Sequence, residues 1–253
     1  MYIANGLNSI INACQREKIE FEILVVDNGS TDDSVMILQQ YQNSHPLNVK
    51  PMFLPENCGT TVSRNIALRL ATGRYICICD SDTEISSGSI RDLLALFENQ
   101  SQLAIIAPQL FLDDGSIQNS VKKFPNFLCK LVKIPNVLFG IPRHDLDFYS
   151  FFPFTEITEV DTAISACWFF QKDLLTEVGL LDERIFYSPE DLDYCIRVRK
   201  AGKKIIYYPY LRVLHHTQQV SHKRPFSKTS LSHLYGLMYY FSKHGGWFFS
   251  KKF

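Results

Sequence analysis

GRYICICDSDTEI, Gly73 to Ile85, drives a run of apolar residues straight into a burst of acid. Tyr75 to Cys79 reads as a buried β-strand that ends on Asp80 and Asp82, one residue apart. Two like charges held that close repel, and a cation between them removes the conflict. Asp80-x-Asp82 offers hard oxygen ligands, suited to Mg²⁺ or Mn²⁺ bound by a few carboxylates together with substrate phosphates. Asp-Ser-Asp-Thr also suits a simple turn cap, and spacing alone leaves both readings open.

Outward from this strand the chain alternates strands and helices. EFEILVVDNGSTDDS predicts a buried strand over Ile23 to Val26 and then a helix from about Asp32 to Tyr41. NVKPMFLPENCG is a second strand, made short or edge-like by Pro51. GTTVSRNIALRLATG predicts a helix with Val62, Ile66 and Leu70 on its apolar face, closed by Gly73. SGSIRDLLALFEN is an amphipathic helix and LAIIAPQLFL a further strand. This alternation through residue 112 predicts an α/β sheet with mostly parallel strands. From 113 to about 160 the rhythm is lost in an aromatic, Pro-interrupted stretch of the kind that forms binding loops. AISACWFFQKDLLTEVG, SPEDLDYCIRVRKAG and KKIIYYP then restore strand, helix, helix and strand. With no repeat or low-complexity linker, one domain is expected over 1–225, with a basic, aromatic tail over 226–253.

Composition excludes some classes. The 253 residues, 46% hydrophobic and 21% charged, are those of an ordinary globular chain. Seven scattered cysteines without C-x-x-C spacing point to reduced thiols in the cytoplasm. No apolar run approaches the roughly 18 residues that a membrane span needs. The net charge of zero conceals an asymmetry: residues 194–253 hold 12 of the 26 Lys and Arg and none of the 26 acids. A basic block of that size favours phosphates or an anionic surface. No nucleic-acid-binding motif accompanies it, so no nucleic-acid partner is expected.

Ligands of open α/β sheets bind outside the carboxyl ends of the strands, where Asp27 and the Asp80/Asp82 pair both fall. There is no G-x-x-x-x-G-K-[ST] loop and no G-x-G-x-x-G after a strand. PEDLD opens a helix with Glu190, Asp191 and Asp193. Acids there favour the helix dipole, yet three in four positions beside IFYS suggest that one faces a cleft as a general base. His215 and His216, just after the last strand, offer an imidazole to a metal or are merely structural.

Together these stretches, with PENCGTTVSRN and VLHH, resemble family 2 glycosyltransferases of the GT-A fold, and among them a bacterial rhamnosyltransferase-like branch of surface polysaccharide assembly. The resemblance implies a Rossmann-like, mostly parallel mixed sheet flanked by helices. Residues 1–112 would form the nucleotide-sugar half and 113–225 the acceptor half. It implies a metal-dependent, inverting transfer from a nucleotide-diphosphate sugar to a glycan or lipid-linked acceptor. On this resemblance Asp27 binds the nucleotide base, Arg64 lies near the diphosphate, Asp82 is the direct ligand of Mg²⁺ or Mn²⁺, Asp80 faces the ribose or the metal, and His215 completes the metal site. Asp191 is the base and Glu190 the second choice.

Two departures stand out. The chain opens at MYIANGLNSIINAC, already a helix, so either the true start lies upstream or the sheet lacks its usual first strand, in which case an apolar edge is expected to be exposed. Ser165 stands where the family pattern has Gly, and its Cβ is expected to narrow the acceptor side. A catalytically idle assembly subunit and a nucleotidyltransferase are the alternatives. The aromatic tail, with Lys243, Lys251 and Lys252, predicts peripheral attachment to an anionic membrane at its cytoplasmic face, or a helix packed on the core.

Overall fold

In a computed structural model, which describes residues 2–132, 146–217 and 228–250, the chain forms an α/β sandwich around a mixed sheet. Residues 133–145 of the irregular segment and Lys251 and Lys252 of the tail lie outside the described residues.

The elements in order are α1 (Tyr2–Arg16), β1 (Ile23–Asp27), α2 (Ser34–Ser44), β2 (Val49–Phe53), α3 (Thr60–Leu70) and β3 (Tyr75–Cys79). Then come β4 (Thr83–Ser87), α4 (Ile90–Asn99), β5 (Leu103–Phe111), β6 (Val121–Lys122), α5 (Phe127–Leu131), β7 (Thr158–Val160) and β8 (Thr162–Ala163). The chain continues through β9 (Cys167–Gln171), α6 (Leu174–Glu177), α7 (Glu190–Lys200), β10 (Lys204–His215) and α8 (Lys228–His244).

The main sheet runs β3-β9-β5-β10-β4, with β7 also on β10. β5 and β10 are parallel, and β9 lies antiparallel between β3 and β5. β10 is long enough to take two partners along one edge, β7 against Ile205–Tyr207 and β4 against Arg212–His215. Its register with β5 shifts between Tyr208 and Arg212, around Pro209, which cannot donate to a ladder. β4 was not expected, because TEISS is short and polar; it exists by pairing with a strand some 130 residues away.

One face of the sheet packs Ile106 and Phe169 against Ala13 and Cys14 of α1 and Leu93 and Phe97 of α4. The other packs Trp168 and Phe170 against Tyr194 and Ile196 of α7 and Tyr240 and Phe241 of α8. Complete burial of a side chain such as Phe241 contributes about 1.5–3 kcal/mol. Asp193 and Asp182 reinforce α8: Lys243 Nζ lies 2.6 and 2.7 Å from them, and His244 Nε2 is 2.7 Å from the fully buried Asp193. The opposite face of α8 leaves Leu231, Leu234 and Tyr235 exposed.

β1 and β2 form a separate parallel ribbon, not hydrogen-bonded to the main sheet among the described residues. β1 and β3 both line a slot of about 620 Å³, floored by Leu7, Ile10 and Cys14 of α1. Among the described residues β1 pairs only with β2 and β3 only with β9, so the slot is bordered by an unpaired edge of each. The slot also explains why Ile23 to Val26, expected to be buried, are only half-buried.

The apolar face expected for α3 is not the one that packs. Thr61, Ser63, Asn65 and Leu68 are buried, whereas Leu70 is exposed, and the helix ends on Ala71 before Gly73. Ser63 Oγ bonds back to Gly59 O and Thr60 O within the helix start, and the 181–185 loop satisfies the other two: Thr61 Oγ1 donates to Ile185 O at 2.7 Å, and Asn65 exchanges two bonds with the Leu181 main chain at 2.9 and 3.0 Å. This register turns Arg64 toward the end of β3.

Candidate active site

The site assembles where β3, α3 and α7 meet. Arg64 on α3 lies 2.5 Å from Asp80 Oδ1 through Nη2 and 3.1 Å from Glu190 Oε1 through Nη1. Nη1 also donates to Ser165 Oγ at 2.7 Å, and that hydroxyl donates to Glu190 Oε1 at 2.8 Å. Ser165 thus completes a closed ring of hydrogen bonds, a bridging role of its hydroxyl beside the narrowing of the acceptor side expected of its Cβ. Burial of a guanidinium this deep is tolerable only with two carboxylates against it.

Asp80, Asp82 and His215 present one oxygen or nitrogen each within 4.8 Å of one another. His215 Nε2 is 3.6 Å from Asp82 Oδ1, and its Nδ1 is 2.8 Å from Gln118 Oε1. An amide oxygen only accepts, so Nδ1 carries a proton that it donates to Gln118, which leaves Nε2 as the ring nitrogen that faces Asp82. Gln118, in the 113–120 hairpin, was not foreseen. Burial raises the Asp82 carboxyl above its usual range, with Asp80 adding to the shift and His215 opposing it. Two oxygens and one imidazole nitrogen, with surplus negative charge, fit a divalent cation such as Mg²⁺ or Mn²⁺. His216 lies 2.8 Å from Glu84 and also pairs with Asp113.

Glu190 and Asp191 open α7. Burial, then the charge of Asp191, pushes the Glu190 carboxyl up to about 7 against the opposing pull of Arg64. Asp191 is likewise raised by burial. It accepts from its neighbour's amide, Leu192 N, at 2.7 Å and lines a hollow of about 110 Å³ with Lys122 and Lys130. Asp80 and Asp82 do not line that hollow. The phenol of Tyr187 ties the two regions together: it is raised by burial and then by the charges of Glu190, Asp80, Asp82 and Asp191. Asp193, the third acid of this turn, points into the α8 interface and away from the site.

Asp27 is buried at the end of β1, where its Oδ2 accepts from Ser30 N at 3.1 Å and stabilises the turn. The neighbouring Asn28 lines the slot together with Arg64 and Asp80. Asn28 also holds Gly59 O and Asn57 at the start of α3.

The sequence profile described as Glycosyl transferase family 2 matches residues 1–179. N-acetylglucosaminyl-diphospho-decaprenol L-rhamnosyltransferase of Mycobacterium tuberculosis is 26% identical over 245 residues, covering 89% of this chain and 76% of that protein. Poly(ribitol-phosphate) beta-N-acetylglucosaminyltransferase TarS of Staphylococcus aureus is 36% identical over 107 residues, 42% of this chain and 18% of its own length. Among solved structures, GalNAc-T7 with UDP, GalNAc and Mn²⁺ superposes with a TM-score of 0.62 at 14% identity, over 84% of this chain and 40% of that one. The mannosyltransferase PcManGT of Pyrobaculum calidifontis, with GDP-Man and Mn²⁺, gives 0.55 at 18% identity, over 86% and 54%. The α/β class and mixed sheet expected from the sequence agree with these GT-A neighbours. The chain belongs to glycosyl transferase family 2.

Proposed function

We propose that the protein transfers a sugar from a nucleotide-diphosphate sugar to a hydroxyl of a glycan or lipid-linked acceptor in cell-surface polysaccharide assembly, by a single displacement that inverts the anomeric centre. The carrying observation is Arg64, whose two arms join the Asp80 end of β3 to the Glu190 start of α7. Residues 1–112 supply the donor side, with Asp27 at the base and Arg64 near the diphosphate, and 113–225 the acceptor side. Asp82, Asp80 and His215 would hold Mg²⁺ or Mn²⁺, which supplies charge neutralisation to the departing diphosphate.

Asp191 takes the acceptor's hydroxyl proton. Its half-buried carboxylate faces a hollow, whereas Glu190 is occupied by Arg64 and Ser165. Burial raises the Asp191 proton affinity, as suits a group that must take a proton, while the Leu192 amide and then Lys122 and Lys130, which line the same hollow, oppose that rise. Glu190 keeps Arg64 in register and damps its charge. The exposed apolar face of α8, with Phe248 and Phe249, supports attachment to an anionic bilayer, read out by liposome flotation. The open slot beside Asn28 and Arg64 favours the second reading, an idle assembly subunit.

UDP and dTDP affinity measured with and without Mn²⁺ separates the two. Tightening by Mn²⁺ that disappears in Asp82→Asn supports the transferase; absence of metal-dependent binding overturns it.

A further inference from the structure

We propose that Cys77, Cys79 and Cys167 form a binding site for a thiophilic divalent cation of the zinc type, separate from the carboxylate site. The period of β3 puts residues 77 and 79 on one face, and the antiparallel register places Cys167 of β9 directly opposite Cys79 and diagonal to Cys77. The three Sγ atoms lie within 4.8 Å of one another. Tetrahedral zinc with Zn–S bonds of ~2.3 Å needs sulfurs about 3.8 Å apart, so the trio closes on an ion by about 1 Å or less. Adjustments of χ1 on neighbouring strands supply that distance.

Access and anchoring are both present. Cys77 is exposed and Cys79 half-buried, and both line the 620 Å³ slot, which gives an entry path and room for a fourth ligand. Cys167 is fully buried in the sheet and fixes the site's floor. Cysteines used only as small core residues sit away from solvent, which Cys77 does not. The Thr83 hydroxyl lies 2.8 Å from Cys79 Sγ and gives its own proton to Asp80 O at 2.7 Å. It therefore accepts the Cys79 thiol proton in the metal-free state. Binding replaces the three S–H protons by three S–M bonds and delivers those protons to water. Cys79 adjoins Asp80, yet donor chemistry separates the two sites: thiolates select zinc-like ions, carboxylates magnesium or manganese.

Titration of the reduced full chain with Co²⁺, a spectroscopic stand-in for zinc, tests the site. One equivalent should produce thiolate-to-cobalt charge-transfer absorption that Zn²⁺ abolishes by displacement. Cys77→Ser, at an exposed position, and Cys167→Ala should each weaken Co²⁺ binding by more than roughly 100-fold, beyond the usual loss from changing an outer-shell partner. Cys129→Ser and Asp82→Asn should retain the band. Absence of charge-transfer absorption at one equivalent, or a band unchanged in Cys77→Ser, overturns the proposal. Should Cys167→Ala fail to fold, the Cys77→Ser result decides alone.

Discussion

Arg64 and Glu190 stand 126 positions apart in the chain and 3.1 Å apart in space, and their contact joins the half carrying Asp80 to the half carrying Asp191. Removing one side of a buried ion pair strands the other. Arg64→Met should therefore cost about 3–5 kcal/mol of stability, measured by urea denaturation. A loss below 1 kcal/mol would mean that the carboxylates are adequately solvated without the guanidinium.

Asp191→Asn keeps the side chain's shape and removes its basicity. The variant should unfold at the wild-type midpoint and lose roughly 10²–10⁴ in transfer rate under single-turnover conditions. Near-normal turnover would hand the role to Glu190 or to another group.

Glu190 gives a pH signature of definite sign. Its carboxyl titrates near 7 in the fold, above its ordinary value of 4.5, so the native state binds the extra proton between those limits. Stability from this group is full below pH 4.5 and is lost as pH rises through 7. The range is at most about 3 kcal/mol. Glu190→Gln should gain melting temperature relative to wild type as pH rises from 5 to 8; a constant difference across that range refutes the assignment.

Asp193 should behave in the opposite sense. Burial raises its pKa, but His244, Lys243 and Arg197 outweigh that and leave it below its usual value. Its contribution is present above the unfolded pKa and disappears as pH falls through the folded one. Asp193→Ala should cost about 3–5 kcal/mol at pH 7 and loosen α8, seen as faster proteolysis near His244. Equal cleavage of variant and wild type would remove Asp193 from the account of α8.

The parts of this molecule legible in the sequence are those fixed by neighbours along the chain. β3 with its Asp80 and Asp82, the Ser89-capped α4 and the acidic start of α7 follow from local pattern. The pattern points to Val62, Ile66 and Leu70 as the packed face of α3 and passes over Thr61 and Asn65, because their partners, Ile185 and Leu181, arrive from more than a hundred residues downstream. Gln118 and the bridging role of Ser165 escape for the same reason: each acts by bonding a residue on another element. The thiol cluster was invisible to a search for C-x-x-C, since Cys77-x-Cys79 gains its third member only through the pairing of β3 with β9.

Among the described residues, the ribbon of β1 and β2 hangs beside the main sheet with no third strand to share its load. A two-stranded unit is marginal by itself, so opening it breaks five register pairs and leaves the central ladder intact. In deuterium exchange, the amides of Ile23 to Asp27 should accordingly be replaced well before those of Ile105 and Ile106, which lie at the centre of the fold and open only when all of it does.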